Sequence, residues 1–297
     1  METQMRLTDW ILLILLSLIW GGSFYYAEIA LREASPLVVV WGRVAGAAVI
    51  LLLVLRIKGI PFPKGQGLWI AFFVMGLLNN VIPFTLIVWG QTAITGSLAS
   101  IFNATTPLFT IVLAQFLTQD EKINLLKVVG LLLGFAGVIV MVGVEALSGL
   151  SGVVLAQIAV LAAAISYGCA AIWGRRFKGI NPMVTATGQV TCSGFVMTPI
   201  ALFFGFPDGY FVPTGEVLFA IGFMALVCTV FAYILYFKIL ATSGATNLML
   251  VTFLVPLSAI ALGSLFLGEQ LSTDQLIGMG LILFGLLIID GRLFKRP

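Results

Sequence analysis

The sequence predicts an all-α integral membrane protein in which ten transmembrane helices form two inverted five-helix repeats with both termini in the cytoplasm. Three observations predict this fold class. Of the 297 residues, 61% are hydrophobic and only 9% are charged, whereas soluble domains carry roughly 25% charged residues. Long apolar runs recur along the chain, and the chain resembles itself when it is shifted by about half its length.

Each apolar run approaches or exceeds the roughly 20 residues that a helix needs to cross the hydrocarbon core of a bilayer. The runs are continuously apolar rather than alternating, which excludes a transmembrane β-barrel. We interpret the first run as a transmembrane helix rather than a signal peptide, because it is long enough to span and has an internal counterpart. The predicted helices cover residues 10–31, 36–55, 68–90, 97–117, 124–144, 152–173, 182–204, 216–237, 245–267 and 275–290.

The distribution of lysine and arginine predicts the orientation, because cytoplasmic loops carry an excess of positive charge. With a cytoplasmic N-terminus, 13 of the 15 basic residues fall on the cytoplasmic side. These residues are Arg6, Arg56, Lys58, Lys64, Lys122, Lys127, Arg175, Arg176, Lys178, Lys238, Arg292, Lys295 and Arg296. Arg32 falls in an outer loop, and Arg43 lies within a predicted helix. Both termini are therefore expected in the cytoplasm.

A shift of 148 residues aligns like residues of the two halves of the chain. The aligned pairs include Gly96 with Gly244, Leu117 with Leu265, Glu121 with Glu269, Gly130 with Gly278, and Gly137 with Gly285. We therefore divide the chain into residues 1–148 and 149–297, with five helices in each. Because five is odd, the second half must enter the membrane in the opposite orientation. Inverted repeats are typical of secondary transporters, whose substrate site lies near the middle of the membrane between the halves.

Several classes of function are disfavoured by what the sequence lacks. It contains no histidine, which excludes histidine metal sites, bases and proton relays. Single cysteines at Cys169, Cys192 and Cys228 form no metal or disulfide pattern and are interpreted as packing residues. No cofactor or metal and no nucleic acid is expected as a partner, and an enzyme or a receptor is disfavoured. The expected partners are membrane lipid and a small-molecule substrate.

Each half ends in a shared pattern of four parts. A small-residue turn comes first (TGSLAS; SGATNL), and a helix that contains a proline follows it (NATTPLFTIVLAQFL; VTFLVPLSAIALGSLFLGEQ). A glutamate comes next, and a helix with regularly spaced glycines ends the pattern (GLLLGFAGVIVMVG; GMGLILFGLLIIDG). This pattern resembles the EamA repeat of the drug/metabolite transporter superfamily over essentially the whole chain, although the first half has LTQDE where FLGEQ is usual. Within the family, the chain is most similar to bacterial exporters of aromatic amino acids. The resemblance implies a multi-pass protein of the bacterial cytoplasmic membrane that exports aromatic and other neutral amino acids by alternating access.

Three prolines are candidates for a role in gating. Pro107 and Pro256 occupy nearly corresponding places in the fourth and ninth predicted helices, and Pro83 lies in the third. A mid-helix proline removes a hydrogen bond and kinks the helix, and the freed carbonyl groups can line a cavity. Simple bending of the helices is the alternative interpretation.

Candidate substrate-binding residues combine amides and aromatic rings. Asn79 and Asn80 are adjacent, so a regular helix cannot point both the same way, and at least one is expected to face the bundle interior. Asn103 precedes Pro107 and offers a further amide. The alternative for these amides is hydrogen bonding between helices. The aromatic candidates for an aromatic cargo, which could also be core packing, are Trp20, Trp41, Tyr167 and Tyr233.

Glycines along the fifth and tenth helices predict close helix packing, either as peripheral scaffolding or as the face of a homodimer, so a monomer and a homodimer both stay open. Glu121 and Glu269 precede the helices that follow them, which favours N-terminal capping over proton coupling. Acids deep in the membrane are scarce, and this favours uniport down a gradient.

The segment SPLVVVWGRVAGAAVILLLVLR, residues 35–56, holds a charge within the membrane at Arg43. Three interpretations stay open: the side chain reaches the outer surface, pairs with Glu28 across the tight first hairpin, or binds a substrate carboxylate. At a shift of 146 residues, Arg43 aligns with Gln189, so the charge belongs to one half only. An exporter of amphipathic or cationic drugs driven by proton antiport is the alternative function. It would favour an unpaired membrane carboxylate, for which Glu28 is the candidate.

Overall fold

A computed structural model describes residues 6–63, 65–119, 123–143, 151–207, 209–210 and 212–291, apart from the side chains of residues 245 and 246. Every regular element in these ranges is helical. Nine of the helices are long and apolar enough to cross a membrane, and a tenth is shorter. The ten are α1 (Leu7–Ala30), α2 (Pro36–Ile57), α3 (Gln66–Gly90), α4 (Gly96–Leu117), α5 (Leu125–Val142), α6 (Gly152–Phe177), α7 (Pro182–Phe204), α8 (Gly215–Gly244), α9 (Val251–Leu267) and α10 (Thr273–Asp290).

The predicted all-helical membrane architecture is therefore confirmed, and the chain is a multi-pass membrane protein. Some positions used in the sequence analysis lie outside the described residues. They are the proposed boundary at residue 148 and the residues Lys64, Glu121, Lys122, Arg292, Lys295 and Arg296.

Helix starts follow capping side chains in the sequence. The side chains of Ser35, Thr95, Asn124, Ser151, Asn181 and Ser272 each accept a hydrogen bond from a backbone N–H in the first turn of α2, α4, α5, α6, α7 and α10. Proline occupies the first turn of α2 and α7, where its missing N–H costs nothing. These caps set where each of these helices begins.

The predicted boundary between the eighth and ninth helices is wrong. Helix α8 continues past residue 237 to Gly244, and α9 begins at Val251 instead of residue 245. Lys238 therefore lies on a helix rather than in a loop. The break falls at Gly244, whose φ of 76° and ψ of 170° are accessible almost only to glycine.

Alanine at Gly244 is expected to destabilise the protein by about 1–3 kcal/mol, because a Cβ is strained in this backbone conformation. Gly222, in a helical part of α8, is the matched control, since neither glycine has an atom within 4 Å of an added Cβ. Gly222→Ala should be neutral or stabilising by up to ~1 kcal/mol. Midpoints of thermal unfolding in detergent measure both changes. Equal shifts for the two variants would contradict the role given to the Gly244 backbone.

Helices from the two halves pack against each other along the whole bundle. Helix α2 packs on α7 and α5 packs on α10, while α1 contacts α8 and α9, and α6 contacts α3 and α4. The contact between α5 and α10 depends on glycine. A Cβ on Gly130 would lie 2.5 Å from the carbonyl oxygen of Gly285, and one on Gly137 would lie 2.5 Å from that of Gly278. The glycine faces of these helices are thus used within the chain.

The outside of the bundle is covered by large apolar side chains. Ile57, Phe116 and Phe203 are among the most exposed of them. On a water-soluble protein such a surface would cause association, whereas in a bilayer it faces lipid chains of the same polarity. The polar side chains described next lie inside the bundle.

Candidate substrate site

Three helices contain π-helical turns, which depart from regular α geometry: Leu77–Val81 of α3, Leu226–Phe231 of α8 and Gly263–Leu267 of α9. The first two lie beside the polar side chains inside the bundle. In α3, Pro83 follows the turn and has no N–H to donate to the carbonyl group of Asn79, which accounts for the widened turn. In α8, the Thr229 hydroxyl donates to the carbonyl oxygen of Met224, five residues before it, at 2.9 Å. Turns of this kind are frequent at functional sites.

Both asparagines of α3 join one hydrogen-bond network, contrary to the expectation for a regular helix. Asn79 Nδ2 donates to Gln189 Oε1 and to the Tyr233 hydroxyl, each at 3.2 Å. The Tyr233 hydroxyl donates to Asn80 Oδ1 at 3.2 Å, and Asn80 Nδ2 donates to Ser193 Oγ at 3.0 Å. The π-helical turn changes the angle between consecutive side chains, so Tyr233 reaches both amides.

Arg43 lies beside this network and is only 8% exposed. Its Nε donates to Thr229 Oγ1 at 3.0 Å, and its Nη1 donates to Ser23 Oγ at 2.9 Å. The guanidinium carbon lies 3.9 Å from the centre of the Phe84 ring, a cation–π contact. Thr229 is one helical turn from Tyr233 on α8, so the two groups of contacts adjoin.

We call the combined set the central polar network. It consists of Ser23, Arg43, Asn79, Asn80, Gln189, Ser193, Thr229 and Tyr233. Its members come from α1, α2, α3, α7 and α8, and therefore from both halves of the chain. All eight are buried or half-buried, and the only full charge among them is that of Arg43.

The predicted ion pair between Glu28 and Arg43 is not formed. Among the described residues, no acidic side chain makes a salt bridge with Arg43. The first hairpin brings Ser23 opposite Arg43, because Ser23 lies more than one turn deeper on α1 than Glu28. Glu28 instead accepts a hydrogen bond from the backbone N–H of Gly96 at 3.1 Å. Among the described residues, the contact partners of Arg43 are therefore all neutral.

The other predicted aromatic residues are not joined to the central polar network by hydrogen bonds. Trp41 Nε1 donates to Thr198 Oγ1 at 3.1 Å, and this bond links α2 to α7. The rings of Trp20 and Tyr236 have centres 5.9 Å apart, between α1 and α8. Tyr167 of α6 is half-buried against the apolar core.

The predicted prolines act differently from one another. Helix α4 is interrupted at residues 104–105 and resumes with Pro107 in its first turn, whereas Pro256 lies within an uninterrupted stretch of α9. The two prolines therefore lie in different backbone environments. Asn103 ends the first part of α4, and its buried Oδ1 has no hydrogen-bond partner among the described residues. Such an acceptor is costly when left unpaired, and a ligand donor would satisfy it.

A cavity of about 250 Å³ leads to the central polar network at Tyr233. Its walls come from α2, α7 and α8 and include Asn181, Phe237 and Lys238. The Phe237 and Tyr233 rings are stacked, with centres 6.2 Å apart. We call this space the Tyr233 cavity. It combines aromatic faces with a basic side chain.

The sequence analysis missed four members of the network: Ser23, Gln189, Ser193 and Thr229. Two of them could have been found from the repeat, because each aligns with a polar residue that the sequence analysis selected. Gln189 aligns with Arg43 at a shift of 146 residues, and Thr229 aligns with Asn80 at a shift of 149. The two serines left no such signal, because small hydroxyl residues are common wherever membrane helices pack closely.

A multi-pass helical bundle with a buried polar network, reached by a cavity, is the architecture of a small-molecule transporter. The model of the EamA-like transporter family matches this chain at residues 8–143 and at residues 154–290. The protein belongs to this family and is a membrane transporter.

Curated relatives match the chain over nearly its full length. An uncharacterized transporter of Archaeoglobus fulgidus is 26% identical over 94% of this chain and 98% of its own. Protein PecM of Dickeya dadantii is 28% identical, with 94% and 91% covered, and the uncharacterized inner membrane transporter YedA of Escherichia coli K12 is 24% identical, with 93% and 89% covered. A crystal structure with 16% identity superposes with a TM-score of 0.68 over 98% of this chain and 99% of the other, which shows a shared fold.

Proposed function

We propose that this transporter exports aromatic and other neutral amino acids across the bacterial cytoplasmic membrane by alternating access. The observation that carries the proposal is the environment of Arg43. Its guanidinium is buried, and its described partners are two hydroxyl groups and one aromatic ring. A buried charge without a counter-ion is costly. A substrate carboxylate would supply the counter-ion and can bind a guanidinium through two parallel hydrogen bonds.

The rest of the network favours a substrate without net charge. Its other acceptors are amide and hydroxyl oxygens, supplied by Asn79, Asn80, Gln189 and Tyr233, and these suit an ammonium group without adding a second full charge. Aromatic faces adjoin it at Phe84, close to the guanidinium. A cationic drug would meet the charge of Arg43 and no compensating carboxylate among the described residues of the network. The amino-acid proposal is therefore preferred to the drug proposal.

The repeat and the orientation are part of this proposal. Each helix of the first half corresponds to the helix five places later in the second half. Under this correspondence, the contacts of α1 with α8 and α9 match the contacts of α6 with α3 and α4. The pairs α2–α7 and α5–α10 each join two corresponding helices. Two of the three described π-helical turns also fall in corresponding helices, α3 and α8, while the third lies in α9. We infer an inverted repeat whose termini face the cytoplasm, as the basic residues predict.

With this orientation, the outer ends of the halves are tied together. Arg32 donates to Glu216 at 2.9 Å, and the Glu33 carboxylate accepts from both the backbone N–H and the hydroxyl of Thr214 at 2.8 Å. Ser35 donates to the carbonyl oxygen of Gly205 at 2.6 Å. The Tyr233 cavity lies toward the cytoplasmic side. A cavity of about 310 Å³ lies beside the outer contacts, so these contacts hold the outer ends of the two halves together without filling the space between them.

A counterflow assay tests the proposed cargo. Liposomes containing the purified protein and preloaded with unlabelled phenylalanine should transiently accumulate labelled phenylalanine, while empty liposomes should not. A panel of neutral, acidic and basic amino acids measures the selectivity, and the neutral ones should compete best. Transport of a lipophilic cation such as tetraphenylphosphonium without amino-acid transport would reverse the assignment.

A further inference from the structure

Two carboxylates from opposite halves of the chain meet at the start of α4. The backbone N–H of Gly96 donates both to Glu28 Oε2 at 3.1 Å and to Glu269 Oε1 at 3.2 Å. The N–H of Ser97 donates to Glu269 Oε2 at 3.0 Å. Because one nitrogen contacts both carboxylates, their oxygen atoms are close neighbours. We call these two glutamates the carboxylate pair.

The position of Glu269 corrects the capping role expected from the sequence. It was expected to cap the helix that follows it, α10, but the side chain of Ser272 caps that helix. Glu269 instead accepts from the start of α4 in the other half. It therefore joins the end of α9 to α4, and Glu28 joins the end of α1 to the same place.

Two further buried polar groups at this place lack a partner. Ser97 is 1% exposed and Gln91 is 7% exposed, and Ser97 Oγ and Gln91 Oε1 make no hydrogen bond to any described residue. An added Cβ on Gly263 would lie 2.7 Å from both Ser97 Oγ and the carboxyl carbon of Glu269, so that hydroxyl faces the pair. Gln91 Nε2 donates to the carbonyl oxygen of Phe24 at 2.9 Å, which leaves its Oε1 as an unused acceptor.

Acceptors therefore outnumber donors around the carboxylate pair. Four carboxylate oxygens and one amide oxygen are present, while the donors beside the carboxylates are the two backbone N–H groups that contact them and the Ser97 hydroxyl. Two ionised carboxylates in contact also repel each other, which strongly favours a proton on one of them. Protonation turns one oxygen into a donor and so removes both the repulsion and part of the shortage of donors.

The packing at this place suits a proton better than a larger ligand. An added Cβ on Gly96 would already lie 3.1 Å from Glu28 Oε2, 3.2 Å from Gln91 Nε2 and 3.3 Å from the Cβ of Phe24. No room is left for a substrate ammonium group. The start of α4 also directs the positive end of a helix dipole at the carboxylates, which opposes any bound cation and offsets part of the repulsion that favours the proton.

We propose that Glu28 and Glu269 bind one proton between them and that this proton holds the outer ends of α1, α4 and α9 together. Loss of the proton leaves two adjacent negative charges, and the outer ends separate. The proton enters from and returns to the outer side, so it controls the opening of the outer gate and leaves the substrate gradient as the driving force. The terms outer and inner rest on the proposed orientation, whereas proton binding does not depend on the identity of the cargo.

The charges around the pair are few. Among the described residues, Arg32 acts on Glu28 from the loop between α1 and α2, and it is itself paired with Glu216 at 2.9 Å. Helices α3 and α4 present the neutral side chains of Gln91, Thr95 and Ser97. Glu269 is the acidic group that approaches Glu28 from α9. A change of pH at this place should therefore act mainly by changing the protonation of the carboxylate pair itself.

A distance measurement tests the proposal without any substrate. Thr92 and Gly209, the residue before Tyr210, line the same cavity at the outer end. Thr92 is four residues before Gly96, and Tyr210 is four residues before Thr214, which donates to Glu33. Nitroxide labels are placed at these two positions after the native cysteines are replaced by alanine. When the pH is raised from about 6 to about 9, which reaches the range in which buried glutamates are documented to lose their proton, the distance measured by double electron–electron resonance should increase.

Glu28→Gln and Glu269→Gln should abolish this increase, because each variant retains an acceptor for Gly96 and removes the repulsion. Asp274→Asn is the matched control, since Asp274 is another acidic residue at the outer end, exposed in the first turn of α10, and it should retain the increase. If the unsubstituted pair shows no increase, or if both glutamine variants retain it, the proposal is overturned. Having two variants keeps the test usable if one of them does not fold. The cargo is tested separately by counterflow. Failure of the proton-binding proposal can therefore be distinguished from failure of the amino-acid proposal.

Discussion

Alanine at Arg43 is expected to remove most transport while the protein still inserts into the membrane. Hydrogen bonds to a charged group contribute about 1.5–3 kcal/mol, which corresponds to roughly a 10- to 150-fold fall in a transport rate that depends on them. The initial rate of phenylalanine counterflow, compared at equal amounts of reconstituted protein, measures this loss. A second measurement compares phenylalanine with phenylalaninamide, which lacks the carboxylate. The unsubstituted protein should strongly prefer phenylalanine, and Arg43→Ala should lose that preference.

Arg56→Ala is the matched control for this prediction. Arg56 is an exposed arginine in the last turn of the same helix, α2, so transport should stay close to that of the unsubstituted protein. Arg43→Lys keeps the charge but loses the planar fork, and an intermediate rate is expected. Two results would argue against carboxylate binding at Arg43. One is transport by Arg43→Ala at the original rate, and the other is a slower variant that keeps its preference for phenylalanine over the amide.

Leucine at Gly285 should produce the largest loss of stability. A Cβ there would lie 2.5 Å from the carbonyl oxygen of Gly130 and 2.8 Å from the backbone nitrogen of Gly134. These are backbone atoms, so the clash is relieved only by separating α5 from α10. Overpacking of this kind typically costs about 1–3 kcal/mol and occasionally more, and a whole leucine side chain should exceed that range. The yield of monodisperse protein in detergent and the midpoint of thermal unfolding measure the effect.

Gly280 offers a control on the same helix. An added Cβ there meets nothing within 4 Å, so Gly280→Leu places its side chain toward lipid and should leave the unfolding midpoint nearly unchanged. If Gly285→Leu is as stable as Gly280→Leu, the glycine contact does not hold α5 and α10 together. A loss confined to Gly285→Leu supports close backbone packing as the reason for glycine in both helices.

Helix count and type were predictable because a bilayer imposes a minimum apolar length on every crossing. The junction of α8 and α9 was not, since residues 238–243 contain no proline or long polar run that would end a helix. The break depends on the backbone of Gly244, and the sequence holds many other glycines that stay helical. The interruption of α4 could be located more nearly from the sequence, because Pro107 follows it directly.

The candidate site was predictable in composition more than in pairing. Arg43 stood out as a charge deep in an apolar run, and the amides of α3 as polar groups beside a proline. Which partner Arg43 finds depends on the rotation of α2 against its neighbours, and that rotation is set by contacts such as that of Gly42 with Ile221. The shared environment of Asn79 and Asn80 depends on a π-helical turn, for which Pro83 is the only local signal.

The pairing of α5 with α10 also constrains the order in which the bundle is completed during synthesis. Helices α6 to α9 are all made after α5 and before α10. Throughout that interval, the glycine face of α5 lacks the partner that covers it in the finished protein. The contact between α5 and α10 therefore forms only after Thr273–Asp290 has been made, and until then the narrow groove along α5 is open to other helices in the membrane.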